Sequence, residues 1–125
     1  MNPETIQAVT DVVQSYVDAC HQGDVNILKS LFHPEAAMFG YLAGNLLGEG
    51  PEPFFDAIAN SEAPKDSDCD YQAEIEHVAV FGEIATATLR ENNLLGLDFI
   101  NHFQLLKADG EWLIVAKLFE SSPGK

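Results

Sequence analysis

The chain has 125 residues, 46% hydrophobic and 21% charged, a composition too apolar for disorder and a length that fits one domain over residues 1–125. Twenty Asp and Glu against six Lys and Arg leave a formal charge of −14, which repels phosphate backbones and anionic lipid headgroups, so neither nucleic acid nor a membrane surface is expected as a partner. No segment approaches the roughly 20 apolar residues of a membrane span, and the opening MNPETIQAVTDVV has no basic stretch followed by an apolar run, so a cytoplasmic protein is expected.

Asn2 and Pro3 make an N-cap and a first helical position, after which Ile6, Val9, Val13, Tyr16, Val17 and Cys20 recur at helical spacing until Gly23. A long amphipathic helix with a tyrosine on its apolar stripe follows from that pattern. Asp24 caps a short second helix with Ile27, Leu28, Leu31 and Phe32 on its apolar side, and His33-Pro34 ends it. Residues 36–41 (AAMFGY) read as a short strand, and LAGNLLGEG as turns with a brief second strand. Gly50 and Pro51 open a third helix whose Phe54, Phe55 and Ile58 face inward, with Pro53 tolerated in its first turn. SEAPKDSD is an exposed polar loop.

From Tyr71 the period becomes two, with Tyr71, Ala73 and Ile75 alternating with Gln72, Glu74 and Glu76; a bulge near His77 accounts for the mixed phase through Val78 and Val80. Phe81-Gly82-Glu83 turns into a strand over IATATLREN, and FINHFQLLKADGEWLIVAKLF (99–119) gives two more around Ala-Asp-Gly. Helices followed by a run of antiparallel strands is the pattern of an α+β domain with helices packed on one sheet face.

Alternation puts Phe99, Asn101, Phe103 and Leu105 on one side of the first hairpin strand and Ile100, His102, Gln104 and Leu106 on the other. In the second, Leu113, Val115, Lys117 and Phe119 oppose Trp112, Ile114, Ala116 and Leu118. Both faces are largely apolar, and an apolar second face needs a cover, so a homodimer through the sheet is expected.

Phosphate-binding glycine loops, nucleophile elbows and Cys or His pairs at metal-ligand spacing are absent. His21, His33, His77 and His102 are scattered, and Cys20 and Cys69 read as reduced thiols rather than a bridge, so no metal is expected and no cofactor is named.

The element order, with YVDACHQGDVNILKSLFHPEA early and NHFQLLKADGEWLIVAKLF late, resembles the NTF2-like (SnoaL-like) superfamily over nearly the whole chain. The GD-x-x-x-L-x-x-LFHP-x-A segment and the closing LLK-x-DG-x-W-x-IV-x-K-x-F pattern are most similar to its lumazine-binding-like branch. The resemblance implies a cone-shaped barrel, three helices around a curved, mainly antiparallel mixed sheet that encloses a pocket, and frequent dimers. Among such folds the ketosteroid isomerases pair a tyrosine and a protonated aspartate with a separate carboxylate base. By that resemblance the tyrosine matches Tyr16 and the aspartate matches Asn101, but the base falls near Gly40, which holds no proton, so steroid isomerisation by that route is not expected.

What the match implies is a pocket lined by Tyr16, Met38, Phe54, Phe55, Phe99, Asn101, Phe103, Val115, Lys117 and Phe119. Tyr16 and Asn101 would donate hydrogen bonds to a ligand carbonyl, and Lys117 would hold an anionic group or, if desolvated, act as an amine nucleophile. Each also has a purely structural reading: Tyr16 and Asn101 tied to backbone, Lys117 snorkelling to the rim or paired with Glu91. Three functions remain open: a module binding a flat aromatic or carbonyl compound; an isomerase, dehydratase or cyclase using His33, Glu91 or Asp98 as its base; and an interaction module whose pocket is vestigial.

Overall fold

The computed structural model describes residues 2–124, except for the side chain of Glu49. Three α-helices, α1 (Pro3–Gln22), α2 (Val25–Ser30) and α3 (Glu52–Ala59), pack with a six-stranded sheet of β1 (Phe32–Leu42), β2 (Asn45–Glu49), β3 (Gln72–Phe81), β4 (Ile84–Leu94), β5 (Leu97–Ala108) and β6 (Glu111–Pro123). The order is β2-β1-β6-β5-β4-β3, with β1 and β6 parallel and every other pair antiparallel, which makes an α+β fold on a mixed sheet.

Local chemistry accounts for α1. The Asn2 side chain accepts from Glu4 N, Pro3 occupies the first turn, and Gly23 closes the helix with a φ of 71°. The helix buries Val9, Val13, Tyr16, Ala19 and Cys20. Asp24 caps α2 through Ile27 N. The helix stops at Ser30 because Leu31 O accepts from Ile114 N at 2.8 Å and Phe32 pairs with Ile114, so Phe32, His33 and Pro34 are strand rather than helix end. Pro34 donates no ladder hydrogen bond, and the β1–β6 register shifts between Phe32 and Ala37. The SEAPKDSD segment contains a single 3-10 turn, Pro64–Asp66, that buries Pro64.

Tight turns fix the meander. Ala43-Gly44, Leu95-Gly96 and Asp109-Gly110 all have positive φ at both positions, the handedness that matches strand twist. The expected bulge lies at His77, whose φ is 52°, between Glu76 and Ala79. A second shift between Gln104 and Leu105 leaves Val115 as the extra residue of β6. Trp112 and Ile114 are therefore buried before the bulge, and Lys117 and Phe119 after it. Strict alternation would have set Lys117 and Val115 on the same side; one inserted residue separates them.

Candidate functional site

The inward row of the sheet and α3 enclose a narrow cavity of about 80 Å³. Its wall comes from Met38 on β1, Leu42 and Leu47 around the first hairpin, Phe54 on α3, Leu95, Phe99 on β5, and Lys117 and Phe119 on β6. Among the described residues, Lys117 is the one polar side chain on that wall.

Lys117 is 3% exposed. Its Nζ donates to the Tyr16 hydroxyl at 2.7 Å and stands 3.7 Å from the centre of the Phe54 ring, with the Phe119 and Phe99 rings at 5.3 and 5.9 Å. Ring faces hold a cation favourably, but they replace little of the hydration an ammonium loses. Burial accordingly lowers the Lys117 amine from its ordinary value to about 8, opposed by the attraction of Glu91 and then of Cys20. The side chain neither snorkels to the rim nor forms the ion pair with Glu91 that the sequence allowed; among the described residues no carboxylate lies within ion-pair distance of it.

Glu91 is engaged elsewhere. The Tyr71 hydroxyl donates to Glu91 Oε2 at 2.7 Å and Asn101 Nδ2 donates to Oε1 at 2.8 Å, while Asn101 Nδ2 also reaches Leu89 O at 3.3 Å. Burial raises the Glu91 carboxyl above its ordinary value, against the opposing effects of Lys117 and these two donors. Burial likewise pushes the Tyr16 hydroxyl well above the usual phenol range, reinforced by Glu91 and Cys20, so Tyr16 keeps its proton. Tyr71 rises for the same reasons, burial first and Glu91 second.

Five of the expected residues, Met38, Phe54, Phe99, Lys117 and Phe119, meet at the cavity. Tyr16 stands behind the amine rather than on the wall, clasped by Phe54, Phe32 and Phe103 at ring-centre distances of 5.9, 6.3 and 4.9 Å. Phe103 and Phe55 are core, the latter edge-on to Phe32 at 5.2 Å. Asn101 is fully buried, but its amide donors serve Glu91 and Leu89 O instead of a ligand; among the described residues its Oδ1 has no partner.

Val115 does not line the cavity. The bulge sends it to a groove on the opposite face beside Phe81 and Ile84. Of the substitute bases, His33 Nδ1 accepts from Glu35 N and Asp98 Oδ1 from Asn93 N, so both are used in local turns. Gly40 packs against Phe119, whose carbonyl and ring occupy the space any Cβ would need, so Gly40→Asp would not restore an isomerase base. The Glu91–Asn101–Tyr71 cluster went unread in the sequence as a unit. The signal was the inward row Ala85, Ala87, Leu89, Glu91, which puts a carboxylate in line with three apolar residues.

Among the described residues no group of three or more His, Cys, Asp or Glu is placed to hold a metal, and no helix is long and apolar enough to cross a membrane. What the cavity offers chemically is one desolvated amine backed by a phenol.

The family described as "Putative lumazine-binding" matches residues 4–120. The aldolase FrzH of Cladobotryum sp is 30% identical over 118 residues, covering 93% of this chain and 90% of that protein. Among solved structures, an NTF2-like protein from Shewanella baltica OS155 superposes with a TM-score of 0.87 at 26% identity, over 99% of this chain and 98% of its own. One from Silicibacter pomeroyi DSS-3 gives 0.84 at 29% identity, over 98% and 100%. With the family match spanning nearly the full sequence and these folds agreeing end to end, the chain belongs to this lumazine-binding-like family of the NTF2-like superfamily.

Proposed function

We propose that the chain binds the carbonyl end of a small organic compound against Lys117 and prepares it for carbon–carbon bond chemistry of the aldol type. The observation that carries this reading is the lone amine on an otherwise apolar wall. A ligand entering there finds one polar partner, and a carbonyl oxygen is the neutral acceptor that suits an ammonium donor ringed by aromatic side chains. The aldolase among the relatives supports the reaction class.

Size narrows the ligand. An apolar cavity of about 150 Å³ holds a benzene ring, so one of about 80 Å³ favours a short carbonyl-bearing end over a whole bicyclic ring. Any larger body of the ligand stays outside the cavity.

Thermal denaturation with acetone, acetylacetone, benzaldehyde and lumazine tests this reading. A carbonyl compound at a hundred times its Kd should stabilise the native state by about 2.7 kcal/mol. Val115→Ala, altered on the opposite face, should keep the effect, and Lys117→Met should lose it. If lumazine stabilises and no carbonyl compound does, the proposed ligand class is wrong.

We also infer a homodimer through the outer sheet face. Phe39 and Leu118, neighbours across β1 and β6, are 51% and 56% exposed, and Tyr41 extends the same strip. Sedimentation equilibrium should give twice the chain mass, and Leu118→Lys should halve it; a monomer in the wild type would refute the inference.

A further inference from the structure

We propose that Lys117 acts covalently: its amine condenses with the carbonyl group of the ligand to form an iminium, which then loses an α-proton to become the carbon nucleophile of an aldol reaction. The inference rests on the carbonyl-binding reading above and goes beyond it, since binding needs only a hydrogen-bond donor.

Three features of the geometry support a nucleophile over a structural cation. A buried structural lysine is held in an ion pair, because an unpaired ammonium inside a protein is costly. Here the available carboxylate, Glu91, is turned away to Tyr71 and Asn101, and Lys117 is left with a phenol and aromatic rings. Second, Lys117 lines the cavity, and its Nζ stands 3.7 Å from the ring centre of Phe54, another wall residue, which sets the amine beside the space a ligand carbonyl would enter. Third, the Tyr16 hydroxyl lies 2.7 Å from Nζ, placed to deliver a proton to the oxygen that leaves from the same centre.

The groups facing the amine are Tyr16 and Cys20 from α1, Glu91 from β4, and the uncharged Phe54, Phe99 and Phe119 from α3, β5 and β6. With its amine at about 8, Lys117 is neutral at pH 7 far more often than an exposed lysine at about 10.4.

The steps balance without oxidant or reductant. The neutral amine adds its lone pair to the carbonyl carbon, the oxygen takes a proton, and a carbinolamine forms. Protonation of that hydroxyl, with Tyr16 as the donor, expels water and leaves a C=N+ bond. The α-carbon then gives up a proton to that water, and the C=N electrons move onto nitrogen as the enamine forms. The enamine carbon bonds to a second carbonyl carbon, whose oxygen is protonated. Addition of water to the regenerated iminium releases the β-hydroxycarbonyl product and restores the amine. Tyr16 carries its proton and so is not the α-proton base; burial also makes it a weak acid, so it serves as a relay, passing its proton to the departing hydroxyl as a solvent proton replaces it.

Acetylacetone is the probe, because amines condense with it to a stable, ultraviolet-absorbing enaminone with loss of one water. The protein carries its own controls in the exposed Lys29, Lys65 and Lys107. Among the lysines, the expected result at pH 7 is an enaminone mapped by peptide mass to Lys117, formed on the order of a hundredfold faster than at the exposed ones, as their neutral fractions require. The rate should rise with pH to a midpoint near 8. Tyr16→Phe, which keeps the ring but removes the acceptor of the Nζ hydrogen bond, should slow the adduct at least tenfold at a pH above the midpoint, where the amine is neutral in both proteins. Saturable thermal stabilisation by acetylacetone with no adduct at Lys117 would overturn covalency while leaving the carbonyl-binding reading intact. Neither stabilisation nor adduct would overturn both. Equal labelling of Lys117 and the exposed lysines would also overturn the proposal, since it would mean that the site confers no special reactivity.

Discussion

Lys117→Met is expected to abolish carbonyl binding and reactivity while making the protein more stable at neutral pH. Methionine has similar length and reach, and its thioether packs well against the Phe54, Phe99 and Phe119 rings that now surround the amine. The stability change has a sign that follows from linkage. Unfolded lysine titrates at about 10.4, whereas folded Lys117 titrates at about 8. Below pH 8 both states carry the proton, and folding bears the full penalty of burying the charge. Between about 8 and 10.4 the unfolded chain binds more protons than the native one, so this group makes the wild type gain stability as pH rises. The full penalty corresponds to about 3 kcal/mol.

The lost hydrogen bond to Tyr16 and the lost ring contacts offset part of that. A net gain for the variant of about 1–2 kcal/mol at pH 7 is the expected outcome. Chemical denaturation of both proteins from pH 7 to pH 10 measures it: the advantage of the variant should shrink across that window and be gone near its upper end. A difference that is constant with pH would mean that the amine keeps its ordinary protonation when folded.

Glu91→Gln is expected to raise the reactivity of Lys117 at neutral pH, although it removes a buried acid from the same interior. The carboxylate favours the charged form of the amine. Glutamine fits the same space and still accepts one hydrogen bond, from Tyr71 or from Asn101, but carries no charge. Loss of an opposite charge at this range lowers the amine by on the order of one pH unit, which moves the midpoint of enaminone formation toward 7 and raises the rate at pH 7 roughly fivefold. The measurement is the pH–rate profile for acetylacetone in wild type and variant. A midpoint that stays put would assign the lowered amine to burial alone, and one that rises would contradict the stated electrostatics. Burial is the larger cause in the wild type, so the variant tests the smaller, opposing one.

The two effects share an origin. Lys117 and Glu91 are opposite charges placed in the same apolar interior, each held by uncharged donors and acceptors in place of its natural partner. Such an arrangement shifts both groups toward their neutral forms and so makes the amine more reactive than an exposed one.

Much of this was written locally. Asn2-Pro3 and Gly23 bound α1, and the Asp109-Gly110 turn joins β5 to β6, because caps and turns depend on a few adjacent dihedrals. Phe99, Asn101 and Phe103 share a buried face because side chains along one strand alternate whatever the strand pairs with. Residue types also limited the chemistry: where the resemblance to ketosteroid isomerases would set a carboxylate base, the sequence has Gly40.

The rest depended on pairing. Phe32 to Pro34 left the helix because β6 captured Phe32, some eighty positions along the chain. The extra residue at Val115 became visible only when β6 was laid beside β5, since a bulge is a mismatch between two strands and has no mark in either alone. That single residue took Val115 off the cavity wall while leaving Lys117 on it. The partners of the buried polar groups are equally non-local: Lys117 meets a hydroxyl 101 positions away, and Asn101 and Glu91 find each other across β4 and β5. The sequence thus determined which side chains could carry chemistry and which strand face they shared. Only the tertiary structure decided which of them touch, because hydrogen-bond partnership and desolvation belong to the packed interior and not to any one stretch of chain.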